Sequence, residues 1–516
     1  MSDSPRFSLA GVSAPHKAAA AAGRDVLAVG GNALEALVAM AAMLAVALPH
    51  RAGLGGDALI LVREPRGRTH VIDGTGAAGS AASREAYAKA GYDTPPRRGV
   101  KAALTVPGAV AGWHLALDMA QAFGGRLPLG DLLAPAIKLA REGFAATRTA
   151  PADLDDLSQQ PGFAATFLHE GAWPEKGNLQ RAPKLADLLE QLAHAGLRDF
   201  YRGDAGREIT AELEKLGERI GAPVLRKDYE TFEARLRKPL ALRMGQDLLL
   251  AAPPPSMGLG HVFAVGLQRQ LEISWRHEDK MLHVLAESAK RGHQLACGFA
   301  IDPKELDEKP ETFLQGPIFE REAARLSPDR ATALAFAPDI PKALHLAALD
   351  ANGLTVSCTI SMGDEDGPGV VLTRTGLLLN NRGRFFSLDP QAPHVLAPHR
   401  KVPFAPPPLL MAQDDGHILA FGSGRADIDA QILARLSAGQ TLSHAMDAPR
   451  IACGRETHLF HEENFDPTCL RGLEKRGYAL STAHQDFGIA GALLRRRDGS
   501  IEGAADPRAE GAVEGF

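Results

Sequence analysis

The stretch ALHLAALDANGLTVSCTI, residues 343–360, predicts two strands that form an antiparallel β-hairpin. Its apolar runs, 343–349 and 354–360, have the length and the content of Leu, Val, Ile and Thr that are typical of strands. Asn352-Gly353 between them is a two-residue turn sequence that commonly closes a hairpin. A further short strand is predicted at 370–372.

Upstream of this hairpin, residues 302–342 are rich in Pro, Glu, Asp and Arg and show little periodicity. This composition predicts a linker or a loosely packed surface segment. Regions on either side have helical patterns at 33–48, 110–122, 132–142, 185–195, 205–216, 281–292, 428–436 and 467–476, and strand patterns at 58–62 and 248–252. Helices followed by hairpins and then by helices predict a layered α/β (α+β) fold rather than a parallel dinucleotide-binding sheet.

Composition excludes several classes of function. The 516 residues carry a net charge of -5 and only 5% aromatic side chains, which argues against nucleic-acid binding. Gly53-Leu54-Gly55-Gly56 precedes a strand and not a helix, so we interpret it as a tight turn and not as a phosphate cradle.

Neither a metal site nor a membrane segment is predicted. The four cysteines are scattered, and no spacing of His, Asp or Glu is typical of a metal site, so we expect no metal, no cofactor and reduced thiols. The amino terminus lacks the pattern of a signal peptide. The most apolar stretch, 33–48, is short and contains Glu35. We therefore expect a cytoplasmic protein that does not enter a membrane.

A series of short motifs runs through nearly the whole chain. They are Gly30-Gly31-Asn32-Ala33, Gly53-Leu54-Gly55-Gly56, Val106-Pro107-Gly108-Ala109-Val110-Ala111-Gly112, Leu133-Ala134-Pro135-Ala136, Phe200-Tyr201-Arg202-Gly203, Pro253-Pro254-Pro255-Ser256, Asn380-Asn381, Asp447-Ala448-Pro449-Arg450 and Ala505-Asp506-Pro507-Arg508. In their order and spacing they resemble the gamma-glutamyltranspeptidase family. The resemblance implies a four-layer αββα sandwich of the N-terminal-nucleophile hydrolase type.

The resemblance also implies a processing reaction. A family precursor cuts the bond before a threonine, which then acts as nucleophile with its own α-amino group as part of the base, because a hydroxyl is weak without a base beside it. By this resemblance, residues 1–301 correspond to a large subunit, 302–342 to the linker and 343–516 to a small subunit, all within one composite fold.

The family nucleophile position is Ala343, and alanine can neither attack its own backbone nor form an acyl-enzyme. Other positions that the family uses for catalysis or substrate binding also carry residues that cannot play the family's role. Thr75 stands at the family's arginine for the substrate carboxylate, and Phe385 at its aspartate for the substrate amino group. Pro403 and Phe404 stand at the family's paired serines, and Arg425 and Ala426 at the two glycines of its oxyanion site. Near the nucleophile, Ser361 stands at a family threonine and Gly363 at a family asparagine. This uniform change favours natural divergence over one engineered substitution.

Charged residues are predicted near the position of the lost clamp. Arg382, Arg384 and Arg425 can form an anion site, or they can neutralise Asp364, Glu365, Asp366 and Asp427 in a sealed cleft, and the second interpretation is preferred. His345 is interpreted as a structural residue in preference to a general base. Ser361 and Thr359 are weaker candidates for a substitute nucleophile, as is His261.

Four functions remain open on this basis. The first is a catalytically silent member that binds a ligand, such as a small anionic molecule, or a partner. The second is an amidohydrolase or acylase with a relocated nucleophile, and the third is a true γ-glutamyl hydrolase or transferase, which Ala343 contradicts. The fourth is a non-catalytic subunit of an active paralogue. A homodimer is also left open.

Overall fold

Two seven-stranded sheets form the centre of the protein in a computed structural model. The structure describes residues 4–146, 150–217, 221–271, 275–334, 341–404, 406–483 and 487–516. All neighbouring strands within each of the two sheets are antiparallel.

Sheet I, in spatial order, consists of β21 (Ala512–Gly515), β2 (Gly11–Ala14), β10 (Lys342–Leu349), β11 (Thr355–Gly363), β3 (Asp57–Arg63), β4 (Thr69–Gly74) and β7 (Arg235–Arg237). Sheet II consists of β1 (Arg6–Phe7), β20 (Ile501–Ala505), β19 (Gly491–Arg495), β15 (Ile418–Gly422), β14 (Leu409–Ala412), β9 (Asp247–Ala251) and β8 (Leu240–Met244). Smaller sheets contain β5 (Phe144–Ala145) and β6 (Leu179–Gln180), β12 (Val371–Leu372) and β13 (Leu377–Leu378), and β16 (Ile451–Cys453), β17 (His458–His461) and β18 (Ala479–Thr482).

Helices cover the outer face of each large sheet. Those on the side of sheet I include α1 (Lys17–Ala28), α2 (Ala33–Ala47), α4 (Ala109–Gln121), α5 (Leu129–Glu142), α8 (Pro183–Ala195) and α10 (Asp204–Gly217). Those on the side of sheet II include α12 (Gly258–Arg269), α13 (Glu278–Phe299), α15 (Ala426–Ser437), α16 (Leu442–Asp447) and α17 (Pro467–Lys475). Short helices are α3 (Arg84–Lys89), α6 (Leu154–Ser158), α7 (Phe163–Phe167), α9 (Asp199–Arg202), α11 (Arg226–Thr231) and α14 (Gly316–Ala324).

An apolar cluster fills the space between the two sheets. Leu59 and Leu349 of sheet I belong to the same buried cluster as Leu410 and Leu493 of sheet II. Helices, two sheets and helices again therefore stack as four layers, as the family resemblance implied.

Helix α2 lies at the centre of the layer that covers sheet I. The Asn32 side chain accepts hydrogen bonds from the backbone of Leu34 and Glu35, and the Glu35 carboxylate accepts one from the Asn32 N–H. This reciprocal cap fixes where the helix begins. All of its residues are buried, because helices and a sheet surround it. The apolar run at 33–48 is therefore a core helix, as predicted, and no helix in the described ranges is long and apolar enough to cross a membrane.

The predicted hairpin is present as β10 and β11. Asp350 Oδ1 accepts hydrogen bonds from the N–H groups of Asn352 and Leu354, at 2.9 and 3.1 Å. Gly353 has a φ of 90°, which is the left-handed region that glycine adopts without strain. The register shifts between Lys342 and Leu344, so Ala343 lies at an irregularity where the first strand begins.

The segment predicted as a linker is anchored to the second helix layer. It contains α14, whose Phe319 is buried against Phe263 of α12. Farther along, the N–H of Thr332 donates to the Glu287 carboxylate at 3.1 Å, and Lys290 Nζ donates to the Thr332 carbonyl at 3.3 Å. Residues 335–340 lie outside the described ranges. The division at 302–342 stays a prediction.

Candidate functional site

Four neighbouring strands in the middle of sheet I, β10, β11, β3 and β4, bring the candidate residues together at one end of the strands. Ser361 on β11 lies opposite Asp57 on β3, and Ala58 lies opposite Gly74, the residue before Thr75. Ala343, at the start of β10, lies on the other side of β11. The predicted nucleophile and clamp positions therefore follow one another across the sheet, although they are far apart in sequence.

Ala343 is half-buried and lines a small cavity beside the edge of sheet I. The other lining residues are Arg51, Lys342, Met362, Asp364 and Glu365. Arg51 pairs with Glu365 at 2.9 Å, so the charges at the cavity wall are matched. The side chain at the family nucleophile position is a methyl group, which offers no atom for covalent catalysis.

Ser361 is the hydroxyl nearest to this position in the sheet register. Its Oγ donates to the carbonyl oxygen of Lys342 at 2.5 Å and accepts from the N–H of Gly363 at 3.0 Å. No nitrogen base contacts this hydroxyl in the described residues. Thr359, two residues earlier, is buried and its hydroxyl has no hydrogen-bond partner among them. Neither hydroxyl is arranged as an activated nucleophile.

His345 lies between the two sheets, where its ring packs near Gly422 of sheet II. Its Nε2 is 2.8 Å from Ser357 Oγ, and Nδ1 has no hydrogen-bond partner in the described residues. Burial lowers the pKa of the imidazole to about 3, because the interior does not solvate the charged form. This environment supports the structural interpretation of His345.

The three candidate arginines contact three different carboxylates. Arg382 Nε lies 2.7 Å from Asp57 Oδ2, and both side chains are completely buried. Arg384 pairs with Asp364. Arg425 forms a bidentate pair with Asp427, at 3.0 and 2.7 Å. Two of these pairs, Arg384–Asp364 and Arg425–Asp427, join residues that the sequence analysis named together. Arg382 instead pairs with Asp57, which the sequence analysis did not name.

Asp57 was not identified from the sequence, yet it organises the centre of the site. Its Oδ1 accepts from the N–H groups of Gly76 and Gly108, at 2.8 and 2.9 Å, while Oδ2 faces Arg382. Burial raises the pKa of its carboxyl, and Arg382 and the two backbone donors oppose that rise. This cluster joins three separate loops.

Two phenylalanines occupy positions that are polar in the family. Phe404 is fully buried in the cluster between the sheets that also contacts Ala343, and its ring centroid is 5.7 Å from the Arg382 guanidinium. Phe385 packs beside Arg384, at 4.9 Å from ring centroid to guanidinium carbon. Apolar surface therefore fills the space around the clamp positions.

Thr75 belongs to a charged group with Asp73, Lys401 and Arg237. Its hydroxyl donates to Asp73 Oδ1 at 2.5 Å and accepts from Lys401 Nζ at 3.0 Å. Asp73 Oδ2 accepts from both Lys401 and Arg237, at 2.8 and 3.2 Å. Burial alone would raise the pKa of Asp73, but Lys401, the Thr75 hydroxyl and Arg237 together outweigh it and lower the pKa to about 2.

Lys401 and Arg237 were missed by sequence analysis. Neither belongs to a recognisable motif, and only the pairing of β4 with β7 brings Arg237 beside Asp73. The Lys401 side chain is 19% exposed and that of Arg237 is 26% exposed. Both share Asp73 Oδ2 as an acceptor. Burial lowers the pKa of Lys401, as do the nearby Arg382 and Arg237, while Asp73 opposes this change.

The backbone N–H of Arg425 is committed to another contact. The N–H of Arg425 donates to Ser423 Oγ at 3.2 Å, and Ala426 begins helix α15. Gly424 lies next to the Ala343 carbonyl, since a Cβ on it would be 3.2 Å from that oxygen. The Arg425 N–H is therefore not available to an oxyanion.

His261 lies in a different part of the site. Its Nδ1 is 2.9 Å from Asp429 Oδ2, and both side chains are buried beside a cavity that Arg425 and Ala426 also line. No cluster of three or more metal-ligating side chains occurs in the part of the chain that the structure describes.

Known proteins resemble this chain over nearly its whole length. The family model described as gamma-glutamyltranspeptidase matches residues 19–516. The oxamate amidohydrolase proenzyme of Klebsiella pneumoniae is 35% identical over 98% of both chains. The glutathione hydrolase-like YwrD proenzyme of Bacillus subtilis is 29% identical, again over 98% of both. A cephalosporin acylase structure from Bacillus halodurans has a TM-score of 0.90 at 26% identity, covering 100% of this chain and 97% of that one.

Proposed function

The chain belongs to the gamma-glutamyltranspeptidase family, and we propose that it is an unprocessed, catalytically silent member that binds a small carboxylate. The observation that carries the proposal is the methyl group of Ala343 at the family nucleophile position, with Ser361 engaged by the Lys342 carbonyl and not by a base. Covalent amide hydrolysis requires a nucleophile and a base within hydrogen-bond reach.

Loss of the γ-glutamyl clamp supports the same proposal. Thr75 and Phe385 provide no charge for an amino-acid substrate, and Phe404 fills the neighbouring space with its ring. Arg382 is already committed to Asp57. A γ-glutamyl group would therefore have to displace buried and paired side chains.

Lys401 and Arg237 support a carboxylate as the ligand. They share Asp73 Oδ2, and Arg237 donates to described residues only through Nη1, to Asp73 and to the Pro254 carbonyl. Unused donors on a partly exposed Lys and Arg pair suit a small carboxylate, because Arg binds such groups bidentately. Oxamate, which the 35% identical relative is named for, has this chemistry.

The first experiment tests processing. Denaturing gel electrophoresis of the purified protein should give one band near 54.7 kDa, and a chromogenic γ-glutamyl anilide should not be hydrolysed. Two stable fragments that meet at residues 342 and 343 would overturn the proposal.

The second experiment tests the ligand. Titration calorimetry should detect oxamate binding to the parent, and Lys401→Met should weaken it about tenfold or more, the loss expected for a charged hydrogen bond. Lys138→Met is the matched control, since that side chain is 71% exposed on α5 and far from the site in sequence. Equal weakening by both variants, or no binding to the parent, would contradict the carboxylate site.

A second candidate is an amidohydrolase with a relocated nucleophile. The 35% identity to an oxamate amidohydrolase favours it, and Thr75 Oγ1 lies 3.0 Å from Lys401 Nζ. Ammonia release from oxamate by the purified protein, abolished by Thr75→Val, would establish this activity. A role as a subunit beside an active paralogue, a homodimer and a cytoplasmic location stay predictions.

A further inference from the structure

We propose that Arg63 and Arg495 form an anion site that takes a phosphate group, at the end of the two large sheets away from Ala343. Strand β3 begins at Asp57, beside the candidate functional site, and ends at Arg63. Strand β19 begins at Gly491 and ends at Arg495. One arginine therefore comes from each sheet, and both lie at the end opposite the candidate functional site.

Both arginine side chains point into the layer between the sheets. Leu59 and Leu61 of β3 belong to the apolar cluster that fills this layer, and Arg63 follows them at the same two-residue spacing. Leu493 of β19 belongs to that cluster too, and Arg495 follows it two residues later. The alternation of a strand therefore directs both guanidiniums toward the gap, and they are half-buried at its rim.

The turn of the β10–β11 hairpin brings the two arginines together. Arg495 reaches across the gap to this turn, since a Cβ on Gly353 would lie 3.4 Å from its guanidinium carbon. Arg63 lies opposite Thr355, two residues beyond that glycine, in the register of β3 with β11. Burial lowers the pKa of the Arg63 guanidinium, and the charge of Arg495 lowers it further. Like charges held in this way repel each other, and a bound anion would relieve the repulsion.

Neither arginine forms a hydrogen bond or an ion pair with any residue that the structure describes. The carboxylates of the neighbouring strands and turns have other partners. Glu64 pairs with His70 at 2.7 Å, and Glu502 pairs with Arg496. Asp350, in the hairpin turn itself, accepts backbone N–H groups through both of its oxygens. Both guanidiniums therefore keep their donors for a group from outside the chain.

A phosphate group matches this pair. Each guanidinium presents a fork of N–H donors, and two forks on opposite walls can hold one tetrahedral oxyanion between them. Phosphate and its monoesters carry about −1.5 to −2 charges at neutral pH, which offsets both cations, whereas a monocarboxylate offsets one. Exposed arginines in the adjacent turns, Arg66, Arg68 and Arg497, add to the attraction. Because the gap opens to solvent at this end, the site needs room for the oxyanion alone.

The test uses the intact chain and titration calorimetry at constant ionic strength. Inorganic phosphate should bind saturably with a Kd of about 1 mM or tighter. Arg63→Met and Arg495→Met should each weaken this binding about tenfold or more, the loss expected when a charged hydrogen-bond donor is removed. Arg66→Met is the matched control, since Arg66 is exposed in the turn next to Arg63 and should leave the Kd nearly unchanged.

Two further compounds define the ligand. Glycerol phosphate distinguishes a phosphate ester from the free ion. Binding at least as tight as that of inorganic phosphate identifies an ester as the ligand, and weaker binding identifies the free ion. Acetate should bind less tightly than inorganic phosphate, because it carries one negative charge. Equal affinity for acetate and phosphate would overturn the assignment of a phosphate group.

Thermal unfolding separates a loss of binding from a loss of fold. Without phosphate, Arg63→Met should unfold at the same Tm as the parent or at a higher one, because it removes a repulsion between like charges and keeps an unbranched apolar stem. A clearly lower Tm would show that the guanidinium already has a stabilising partner, and would contradict the proposal. Equal weakening of phosphate binding by Arg63→Met and Arg66→Met would also contradict it, as would absence of saturable binding to the parent.

Discussion

The Ser361 hydroxyl donates to the carbonyl oxygen of Lys342, at an Oγ–O distance of 2.5 Å. That carbonyl belongs to the peptide bond that precedes Ala343, the bond that a family precursor would cut. The contact polarises this carbonyl and fixes its direction, whereas the attacking group is missing. On the function proposed above, the chain keeps one polar contact of a processing site around a residue that cannot attack.

Ala343→Thr should therefore cleave itself slowly without gaining γ-glutamyl turnover. The scissile bond is tethered, and positioning of this kind can supply roughly 7–11 kcal/mol of the barrier. Turnover needs a substrate clamp, which Thr75 and Phe385 do not provide. Mass spectrometry of the fragments over time checks the cut between residues 342 and 343.

Ser361→Ala in the Ala343→Thr background is the control for this prediction. It removes the hydrogen bond to the Lys342 carbonyl and should slow cleavage about tenfold or more. Glutamate release by Ala343→Thr alone, well above the parent, would show that the clamp positions are misassigned.

Arg382→Met should destabilise the protein by about 3–5 kcal/mol, because it leaves the buried Asp57 carboxylate without its cation. Asp57→Asn in the same background should restore part of this loss. Arg374→Met is the matched control, since its guanidinium is 63% exposed and its surface ion pair with Glu208 is worth about 0–1 kcal/mol. Urea unfolding measures all three, and similar losses for Arg382→Met and Arg374→Met would contradict the prediction.

His345 should make the fold sensitive to acid. Its pKa is about 3 in the folded protein and 6.5 in the unfolded chain. Between these values the unfolded state binds one more proton, so stability decreases as the pH falls, by about 1.4 kcal/mol per pH unit below about pH 6. The free energy of unfolding of His345→Gln, compared with the parent from neutral pH to pH 5, should show a shallower slope. The exposed His169→Gln should leave the slope unchanged, and parallel slopes for all three proteins would refute the assignment.

Phe404→Ala should cost about 3–5 kcal/mol of stability, because a large side chain is removed from a closed apolar cluster. Phe385→Ala is the comparison, since Phe385 is only half-buried and should cost less. Thermal unfolding distinguishes the two. Nearly equal shifts in Tm would mean that Phe404 does not fill the space between the sheets.

Local patterns predicted several of the longer elements, but fewer than half of the helices and strands in the described residues. The hairpin at β10 and β11 follows from two apolar runs and an Asn-Gly turn, and α2 follows from an apolar run that begins after Asn32. Helix α13, Glu278–Phe299, is longer than the predicted 281–292, because the polar residues 278–280 carry no apolar signal and Gly292, the predicted end, lies inside the helix. Boundaries depend on caps and packing more than on the pattern itself.

The candidate site was predictable only in part. Ala343, Thr75, Phe385 and Arg425 were identified because they interrupt motifs. Asp57 and Lys401 were not, since they belong to no motif and acquire partners only when distant strands pair. Which carboxylate an arginine contacts is a property of sheet register, and the sequence offers several candidates for each arginine.

Glu287 and Lys290 hold Thr332 by hydrogen bonds. Cleavage of the bond between residues 342 and 343 would therefore not by itself release the segment that contains Thr332. These two side chains belong to helix α13 and are fully buried, so their grip on the segment does not depend on an intact bond between residues 342 and 343. A protein nicked at that bond would keep residue 332 fastened to the opposite layer. Cleavage of the chain would thus leave the contacts of Thr332 with Glu287 and Lys290 intact. Release of the segment would require that these contacts also break.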